Sequence, residues 1–404
     1  MEVFKIILID EQNMKYDVVI IGGGPAGLGF ARALAESDLN IVIIEKLASK
    51  ILADPAFDGR DIALTHLSVK LLKELGAWSR IPSDCISPIK EARVMDGTSS
   101  YFLHFDHRKA CHDALGFLVS NHLIRKALYE EVETLSNVRL ITNISVTSVS
   151  TECKGASVLL SNGKIIEAAL IVAADSRFSE TRRLAGISAA MRDFGQIAIV
   201  CRMEHDKPHR DIAYECFNYG RTLAVLPLTG NQSSIVITAP TYRSNEILNM
   251  SDNQFSDDIS YEFKHRLGRM KLVGERYPYP LIAIHADKFV SSRFALIGDA
   301  AVGMHPVTAH GFNLGLRGQD TLAKEIKSAL ARGVDFSSST VLENYQSKHR
   351  RVTYPLYLAT NGIVRLYTNE ILPAKIMRKT ILRLGNNIWP IKRAIMNQLT
   401  AIEN

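Results

Sequence analysis

Three glycines near the start of the chain have the spacing of a nucleotide-binding turn. In VVIIGGGPAGLGFARALAE, Gly22, Gly24 and Gly27 follow a β-branched run and open a segment with helical apolar spacing. Such a turn lets the backbone approach a pyrophosphate, and the positive end of the following helix then faces the phosphates. Glu45 ends the next apolar run, where a carboxylate can accept hydrogen bonds from ribose hydroxyls. These residues predict a dinucleotide site, and they do not separate NAD from FAD.

A second turn that could bind a ligand lies far along the chain, in SSRFALIGDAAVGMHPVTAHGFNLGLRGQDTLAKEI. The pattern predicts a strand from Phe294 to Ile297, a turn at Gly298-Asp299, and a helix from near Gly311 to about Ala329. It resembles the second flavin fingerprint of FAD-dependent aromatic hydroxylases of the p-hydroxybenzoate hydroxylase type. This resemblance implies that Asp299 accepts hydrogen bonds from the ribityl chain.

The same resemblance assigns a role to the helix start at Gly311, Phe312 and Asn313. There the positive end of the helix would point at the flavin pyrimidine and favour the anionic reduced flavin. A plain alternative is an N-capped surface helix after an Asp-containing turn.

A third segment, ALIVAADSRFSETRRLAGI, resembles the middle motif of the same flavoproteins. Asp175, Ser179 and Arg182 fall on the matching positions, whereas Ser176 stands where the family usually has Gly. The resemblance makes Asp175 a cofactor-binding residue. Asp175 and Ser179 could equally cap a helix.

Two further segments supply basic and amide side chains. FDGRDIALTHLSVKLLKELGAW resembles the segment whose arginine lies near the flavin, here Arg60, and FLVSNHLIRKAL resembles the helix whose amide bonds the cofactor, here Asn121. Arg125 comes one helical turn later and could reach a phosphate. Arg60 and Arg125 could instead be surface ion-pair residues.

Composition limits the function classes. The chain has 404 residues, 47% of them hydrophobic, and this length indicates a protein of two or three lobes. Its formal net charge is only +6, and the sequence has no basic arm that would bind nucleic acid. Its five cysteines are scattered and never in C-x-x-C spacing, so neither a disulfide framework nor a zinc knuckle is indicated, and a reducing cytoplasm fits best. No cysteine precedes Asp84, which excludes the disulfide oxidoreductases of related fold. With two tryptophans far apart, the Trp-rich signature of flavin halogenases is lacking.

The remaining stretches favour a second sheet. Residues 86–110 and 190–282 alternate apolar and polar side chains, as in TLAVLPLTGNQSSIVITAP, with hairpin signals at Asp96-Gly97 and Gly230-Asn231. We therefore predict an α/β fold: a Rossmann-like FAD-binding domain with an inserted, mostly antiparallel substrate sheet and a C-terminal helical segment. The predicted boundaries are 14–85, 116–188 and 285–345 for the FAD-binding domain, 86–115 and 189–284 for the substrate sheet, and 346–404 for the C-terminal helices.

One cluster raises the question of a metal. HFDHRKACH places His104, His107, Cys111 and His112 close together, but the spacing fits no zinc template. We predict a polar loop and no metal.

Together these motifs resemble the FAD-dependent ubiquinone-biosynthesis hydroxylases of the UbiH, UbiF and UbiM group, over roughly residues 15 to 400. The stretches that carry the resemblance include GRDIALTHLSVKLLKELGAW, RFALIGDAA, HPVTAHGFNLGL and NYQSKHRRVTYPLYLATNGIVRLY. Val302 and His310 stand where most members have His and Gln, and HPVTAHGFN is more similar to the UbiM type. The resemblance implies FAD as cofactor, O2 as co-substrate, and NAD(P)H or another electron donor.

The implied reaction is hydroxylation of a polyprenyl phenol or quinol in ubiquinone biosynthesis, at C5 of 5-demethoxyubiquinol for the UbiM type. In this chemistry the reduced flavin forms a C4a-hydroperoxide, whose distal oxygen is attacked by an electron-rich ring. Other ubiquinone-biosynthesis proteins could be partners. The alternatives are a hydroxylase of another phenol, a flavin-dependent polyprenyl reductase, and a non-catalytic subunit that presents flavin and quinone.

Three residues are the predicted catalytic wall beside the reactive flavin edge: His305, Pro306 and His310. They follow Gly298-Asp299 directly, and the chain must return along the flavin ring there. His305 could instead be a core histidine.

The C-terminal segment concentrates charge. From Asn361 to Asn404 there are seven Lys/Arg against two Asp/Glu, which gives +5 of the +6 of the whole chain. Isoleucines, leucines and Trp389 accompany these bases, so we predict peripheral binding to the inner face of a membrane, or to a partner. Gly385 and Pro390 interrupt the tail, and its apolar face could instead pack on the flavin domain. The short apolar run Phe4–Ile9 is predicted to be a tail before the fold.

Overall fold

The computed structural model describes most of the chain: residues 13–97, 101–110, 112–152, 155–218, 220–305 and 310–368, and single positions between 377 and 396. Several predicted features lie outside the described residues: Phe4–Ile9, Cys111, Pro306, Trp389 and most of the C-terminal segment.

The strands in chain order are β1 Asn13–Ile21, β2 Ile41–Ile44, β3 Asp61–Leu64, β4 Ser87–Ile89, β5 Glu91–Asp96, β6 Phe102–Asp106, β7 Gly116–Ser120, β8 Val138–Ile141, β9 Val146–Thr151, β10 Ala156–Leu160, β11 Ile165–Ala173, β12 Ala189–His205, β13 Ile212–Asn218, β14 Arg221–Pro227, β15 Gln232–Pro240, β16 Met270–Ala286, β17 Val290–Ser291, β18 Phe294–Leu296 and β19 Val302–Gly303. The α-helices are α1 Pro25–Ala33, α2 Ser49–Ala53, α3 His66–Glu74, α4 Asn121–Glu133, α5 Glu180–Leu184, α6 Ser244–Leu248, α7 Asp252–Glu262, α8 His310–Ala331 and α9 Ser339–Thr368.

The first sheet has the order β17-β18-β11-β1-β2-β8, with β10 and β9 branching from β11. Its central pairs, β11 with β1, β1 with β2 and β2 with β8, are parallel. Residues 18–20 and 41–44 are wholly buried, as expected for β-branched strands covered on both faces. Because parallel strands end at the same edge, the loops after β1, β2 and β11 meet there.

The second sheet has the order β19-β16-β12-β15-β14-β13-β5-β6. All its pairs are antiparallel except β13 with β5. Its strands come from residues 91–106, 189–286 and 302–303. The predicted α/β class, with a second, mostly antiparallel sheet, is confirmed. The predicted domain boundaries stay a proposal.

The two faces of the second sheet have different neighbours. Along β12, Ile199, Cys201 and Met203 join a buried cluster with residues of α6 and α7. Because side chains alternate along a strand, Val200 and Arg202 face the opposite way. That opposite face lies against the three-stranded sheet of β3, β7 and β4.

A buried ion pair joins these two layers. Arg202 Nη2 donates to Asp61 Oδ1 at 2.6 Å and to Ser120 Oγ at 2.5 Å. The Asp61 side chain is fully enclosed. Breaking one partner of such a pair would leave an uncompensated buried charge, so the contact fixes the second sheet on the rest of the molecule.

The described positions of the C-terminal segment pack on strands β5 and β6. Arg378 is buried, with its guanidinium 4.0 Å from Asp96, and Asn386 Nδ2 donates to Tyr101 Oη at 3.0 Å. Met396 lies in the apolar cluster between the second and three-stranded sheets. Within the part of the chain that the structure describes, no helix is long and apolar enough to span a membrane.

Helix α9 buries a histidine in its first half. His349 stacks 5.7 Å from the Tyr345 ring and lies 5.6 Å from the Phe289 ring. Burial, with smaller effects from Arg317 and His285, lowers the pKa of His349 to about 3. The ring is therefore neutral in the folded protein at neutral pH.

We predict that this histidine makes the protein acid-sensitive. The unfolded chain takes up a proton at His349 near the ordinary pKa of 6.5, whereas the folded chain does so only near 3, so stability falls as pH drops below 6.5. One such group lowers the free energy of unfolding by about 2 kcal/mol at pH 5. His349→Phe should reduce the loss of unfolding free energy between pH 7 and pH 5 by that amount, measured by urea unfolding. The exposed His265→Asn serves as control, and an unchanged pH dependence in His349→Phe would contradict the prediction.

Candidate active site

The three glycines in the turn after β1 have two different roles, one in the fold and one in ligand binding. Gly22 has φ of +113°, and a Cβ built there would lie 2.5 Å from the Ala174 carbonyl oxygen. A Cβ at Gly27 would lie 2.0 Å from the Gly22 carbonyl oxygen. A Cβ at Gly24, which precedes α1, would meet no atom of the described residues within 4 Å. The fold therefore requires Gly22 and Gly27, whereas Gly24 leaves open space at the helix N-terminus.

The carboxylate of Glu45 lies beside this turn, directly after β2. Its Oε2 accepts from the Gly23 amide at 2.6 Å and its Oε1 from the Leu47 amide at 2.9 Å. Each carboxylate oxygen has a further lone pair, so the group can still accept from ribose hydroxyls.

The loop after β11 brings the middle motif to the same edge. The Ser179 hydroxyl caps α5 by accepting from the Arg182 amide at 2.9 Å, which is the alternative role considered above. Asp175 Oδ2 accepts from the Thr181 amide at 3.3 Å. Asp175 Oδ1 is enclosed and has no hydrogen-bond partner among the described residues, so it remains available to a ligand.

Two arginines connect this loop with the turn after β18. Arg177 Nη2 donates to Asp299 Oδ2 at 2.9 Å, and its Nη1 donates to the Ile282 carbonyl at 3.0 Å. Arg182 Nη1 donates to the Ala300 carbonyl at 2.9 Å. The middle and last motifs, far apart in sequence, are thus one unit, and Arg177 also ties that unit to β16.

Arg177 is the site residue that sequence reasoning missed. It follows Ser176, the position at which this chain departs from the family motif. A basic residue beside that departure was the available signal, but its partner Asp299 lies more than a hundred residues away.

Arg60 and Asn121 meet at a third acidic residue. Arg60 Nη2 and Asn121 Nδ2 donate to Asp58 Oδ2 at 2.6 and 2.8 Å. Burial raises the pKa of Asp58, but the hydrogen bonds from Arg60 and Asn121 outweigh it and hold the pKa below its usual value. Tyr279 of the second sheet donates to the Asp58 carbonyl at 2.5 Å, and its ring lies under the Arg60 guanidinium. The ion-pair alternative for Arg60 is therefore present, at the junction with the second sheet.

Arg125, one turn beyond Asn121 on α4, differs from these groups. It is partly exposed, and within the described ranges it has no hydrogen bond and no ion pair. A cation without a protein partner at this position suits a phosphate group.

The start of α8 is held by the side chain of Asn313. Its Oδ1 accepts from the Thr65 amide at 3.0 Å and from the Ser68 hydroxyl at 2.6 Å, and its Nδ2 donates to the Ala63 carbonyl at 2.9 Å. This side chain therefore fixes the helix start against β3 and α3. The backbone amides of the first turn of α8 have no partner within the helix and could therefore bind a cofactor.

The residues beside Asn313 also differ, since some pack against the fold and one has space beside it. A Cβ at Gly311 would meet no atom of the described residues within 4 Å. Phe312 packs against the apolar core of the first sheet, and His310 is buried. A helix N-terminus with space beside it can bind an anion, and its role toward the flavin pyrimidine stays a prediction.

His305 is buried next to the last motif. Its ring makes an edge-to-face contact with Phe194 at 4.9 Å, and burial lowers its pKa to about 4. It is neutral at pH 7, which suits either a wall beside a flavin or a core histidine. Pro306 lies outside the described residues.

The described histidines of the histidine-rich loop have different neighbours. Glu91, His104 and Asp106 have ligand atoms within 4.8 Å of one another. Arg93 and Arg108 already pair with the two carboxylates at 2.8 and 2.7 Å. The His112 ring lies 4.8 Å from that of His66 instead. The absence of a metal stays a prediction.

These residues fit FAD. Among the described residues, the space beside Gly24 and Gly311, the enclosed Asp175 oxygen and the Arg125 guanidinium without a partner suit a ligand with phosphates, hydroxyls and a polar ring. When bound, FAD supplies electron transfer and O2 activation. The chain supplies the contacts that hold and orient it.

Comparison with known proteins agrees with this geometry. Residues 15–356 match the family described as FAD binding domain. The ubiquinone hydroxylase UbiM of Neisseria meningitidis serogroup C is 48% identical over 392 residues, which cover 96% of this chain and 85% of that protein. The ubiquinone hydroxylase UbiL of Rhodospirillum rubrum is 34% identical over 380 residues, 94% of this chain and 88% of that protein.

Among solved structures, p-nitrophenol 4-monooxygenase PnpA from Pseudomonas putida superposes with a TM-score of 0.77. The two chains are 17% identical, and the match covers 96% of this chain and 99% of that one. At this identity the likeness concerns the fold alone.

We expect Gly24→Val to abolish FAD binding without unfolding the protein, because its side chain would enter ligand space and its Cβ has no described protein atom within 4 Å. Gly27→Val is the matched contrast, since its Cβ would collide with the Gly22 backbone and should unfold the turn. FAD titration by fluorescence, with circular dichroism of both apoproteins, measures the difference. Normal FAD affinity in Gly24→Val would contradict the assignment.

Proposed function

The chain belongs to the FAD-binding family of ubiquinone hydroxylases, and on that premise we propose that its substrate is a polyprenyl demethoxyubiquinol, hydroxylated at ring carbon C5. It is a FAD-dependent monooxygenase. The resemblance of HPVTAHGFN to the UbiM type supports the ring position. The similarity to UbiM along almost the whole chain supports the substrate class.

The observation that carries this proposal is the face of the second sheet that looks toward the flavin motifs. One row of this face crosses five strands: Val94, Glu215, Ala224, Val236 and Val200 are neighbours in that order, and all but Glu215 are apolar. An apolar wall opposite a flavin holds an aromatic ring and keeps water from the reaction.

Each group of site residues then has a proposed role. Gly24 and Arg125 hold the phosphates, Glu45 the ribose, and Asp299 the ribityl chain. The open helix start at Gly311 faces the flavin pyrimidine, where a positive dipole favours the reduced anion. His305, neutral and in contact with an aromatic ring, borders the reactive edge, together with Pro306 and His310.

The electron donor is proposed to dock transiently. The sequence has no second G-x-G-x-x-G motif for a nicotinamide domain. NAD(P)H would therefore reach the flavin without a separate binding domain, or another donor serves.

A membrane surface is the proposed source of the substrate. In the second half of α9, Tyr354 and Leu358 are exposed on the side that also carries the exposed Arg351 and Arg365, and Ile363 is exposed farther round the helix. Apolar residues flanked by bases suit an interface with anionic headgroups, worth about 1 kcal/mol per basic residue. A polyprenyl quinol dissolves in the bilayer, so this face would bring the active site to it. Other ubiquinone-biosynthesis proteins are the alternative partners.

We predict that the reduced enzyme, given a short-chain demethoxyubiquinol and labelled O2, yields a product hydroxylated at C5 with one labelled oxygen atom. Mass spectrometry and comparison with authentic isomers identify the position. Label from water only would exclude oxygen insertion. A reductase would consume electrons without O2, and a presenting subunit would bind FAD and quinol but make no product.

The membrane proposal predicts a loss of vesicle binding in the double variant Leu358→Gln and Ile363→Gln. Both side chains are exposed, so the fold should be unaffected. The control exchanges two exposed tyrosines elsewhere, Tyr242→Gln and Tyr261→Gln. Sedimentation with anionic and neutral vesicles measures binding, and equal sedimentation of all variants would place the membrane contact elsewhere or nowhere.

A further inference from the structure

One carboxyl group in the middle of the second sheet has no role in what precedes. Glu215 lies on β13, paired with Val94 of β5 on one side and Ala224 of β14 on the other. Its strand neighbours Tyr214 and Cys216 point into the cluster with α7, where the Tyr214 ring contacts Phe263 at 5.1 Å. Alternation along the strand therefore turns Glu215 to the opposite face.

That opposite face looks at the flavin-binding part of the molecule. The row that contains Glu215 continues through Val236 and Val200 to Tyr277 on β16. The Tyr277 ring contacts Phe57 at 5.7 Å and closely abuts Gly59, in the segment that leads to Arg60. Glu215 thus lies on the same face as Tyr277, the face that is turned toward the three-stranded sheet and the segment leading to Arg60.

Glu215 is isolated there. Among the described residues it has no hydrogen bond and no ion pair, and burial alone raises its pKa to about 8. The residue is nevertheless only partly buried. Leaving a carboxyl group in such a place without a partner is costly unless a ligand supplies one.

The other titratable and charged groups of this face lie in separate clusters. They are Asp96 with Arg378, Arg202 with Asp61, Tyr277, Tyr279 with Arg60, and Glu204 opposite Lys271 at the far end of β12 and β16. None of them contributes to the pKa of Glu215, because burial is its only cause. Within the described part of the chain, Glu215 therefore has no nearby counter-charge.

A second polar group on the same face also has no partner. Ser234 pairs across the sheet with Arg202 and Leu226, which places its side chain on the flavin-facing side. The residue is buried, and its hydroxyl has no hydrogen-bond partner within the described part of the chain. Two unpartnered polar groups on an apolar wall suit a ring that carries hydroxyl or methoxy oxygens.

We propose that Glu215 is the catalytic base that takes the proton from a ring hydroxyl of the quinol as the ring is hydroxylated. This inference rests on the proposed function. The quinol O–H bond breaks, a carboxyl O–H bond forms on Glu215, and the electron pair stays on the quinol oxygen, which makes the ring more nucleophilic. The two electrons for O2 still come from the donor through the flavin.

The environment of Glu215 suits this task. A carboxylate whose pKa is raised toward that of a phenol is a stronger base than an exposed one, and a positioned base contributes about 10²–10⁴ in rate. Without it, the reduced enzyme still reacts with O2, but the oxygen leaves as hydrogen peroxide.

The test compares Glu215→Gln with Glu215→Asp and with Glu204→Gln, an exposed glutamate on β12 of the same sheet. All are assayed as holoenzyme for hydroxylated product and for peroxide. In the wild type, product per electron pair should rise with pH through about 8. We expect Glu215→Gln to lose about 100-fold or more in hydroxylation rate and this pH dependence, Glu215→Asp to regain part of both, and Glu204→Gln to match the wild type.

The variant should fold, because an amide removes a buried ionisable group and adds no charge; FAD content and melting temperature verify this. Binding of 4-nitrophenol, measured at a pH low enough that the free compound is the neutral phenol, gives a readout without turnover. The wild type should bind it with the yellow phenolate band and Glu215→Gln with the band of the neutral phenol. If the wild type hydroxylates no quinol, the proposed function fails, whereas the nitrophenol spectra still decide on Glu215. Equal spectra, or wild-type hydroxylation in Glu215→Gln, would overturn the role of Glu215.

Discussion

The close approach of two backbones at the edge of the first sheet is the constraint on which the flavin site depends. The turn after β1 lies against Ala174 at the end of β11, with no room for a side chain at Gly22 or Gly27. This contact brings the glycine turn, Glu45 and the Asp175 loop to one edge. A nucleotide can then lie across the carboxyl ends of the strands, as open parallel sheets allow.

Arginine side chains connect this edge of the first sheet to the rest of the molecule. Arg177 and Arg182 bind the middle motif to the turn at Asp299, and Arg177 also reaches β16. Arg202 joins the second sheet to Asp61. A planar guanidinium with several donors can bond two segments at once, which a lysine cannot do with defined geometry. The substrate wall is thus held at a fixed distance from the flavin motifs.

The two faces of the second sheet differ in how their polar groups are satisfied. The face toward α6 and α7 is a closed apolar cluster that forms the core of the sheet. The opposite face carries Glu215 and Ser234, which have no hydrogen-bond partner among the described residues. In such a low-dielectric setting an isolated polar group interacts strongly with whatever ligand reaches it. Burial of an unpaired carboxyl group is unfavourable for stability, but it also raises the pKa of that group.

The sequence alone determined the motifs whose residues are neighbours along the chain. The glycine turn, Gly298-Asp299 and the helix start at Gly311 could be predicted because their geometry is local, as could the second sheet from its alternation. Pairings across the fold could not be read this way: Arg177 with Asp299, and the side chain of Asn313 with α3. The face to which Glu215 points depends on which side α7 covers, and burial then sets its pKa. Only tertiary structure decides these features, because they arise from contacts between segments that the sequence separates.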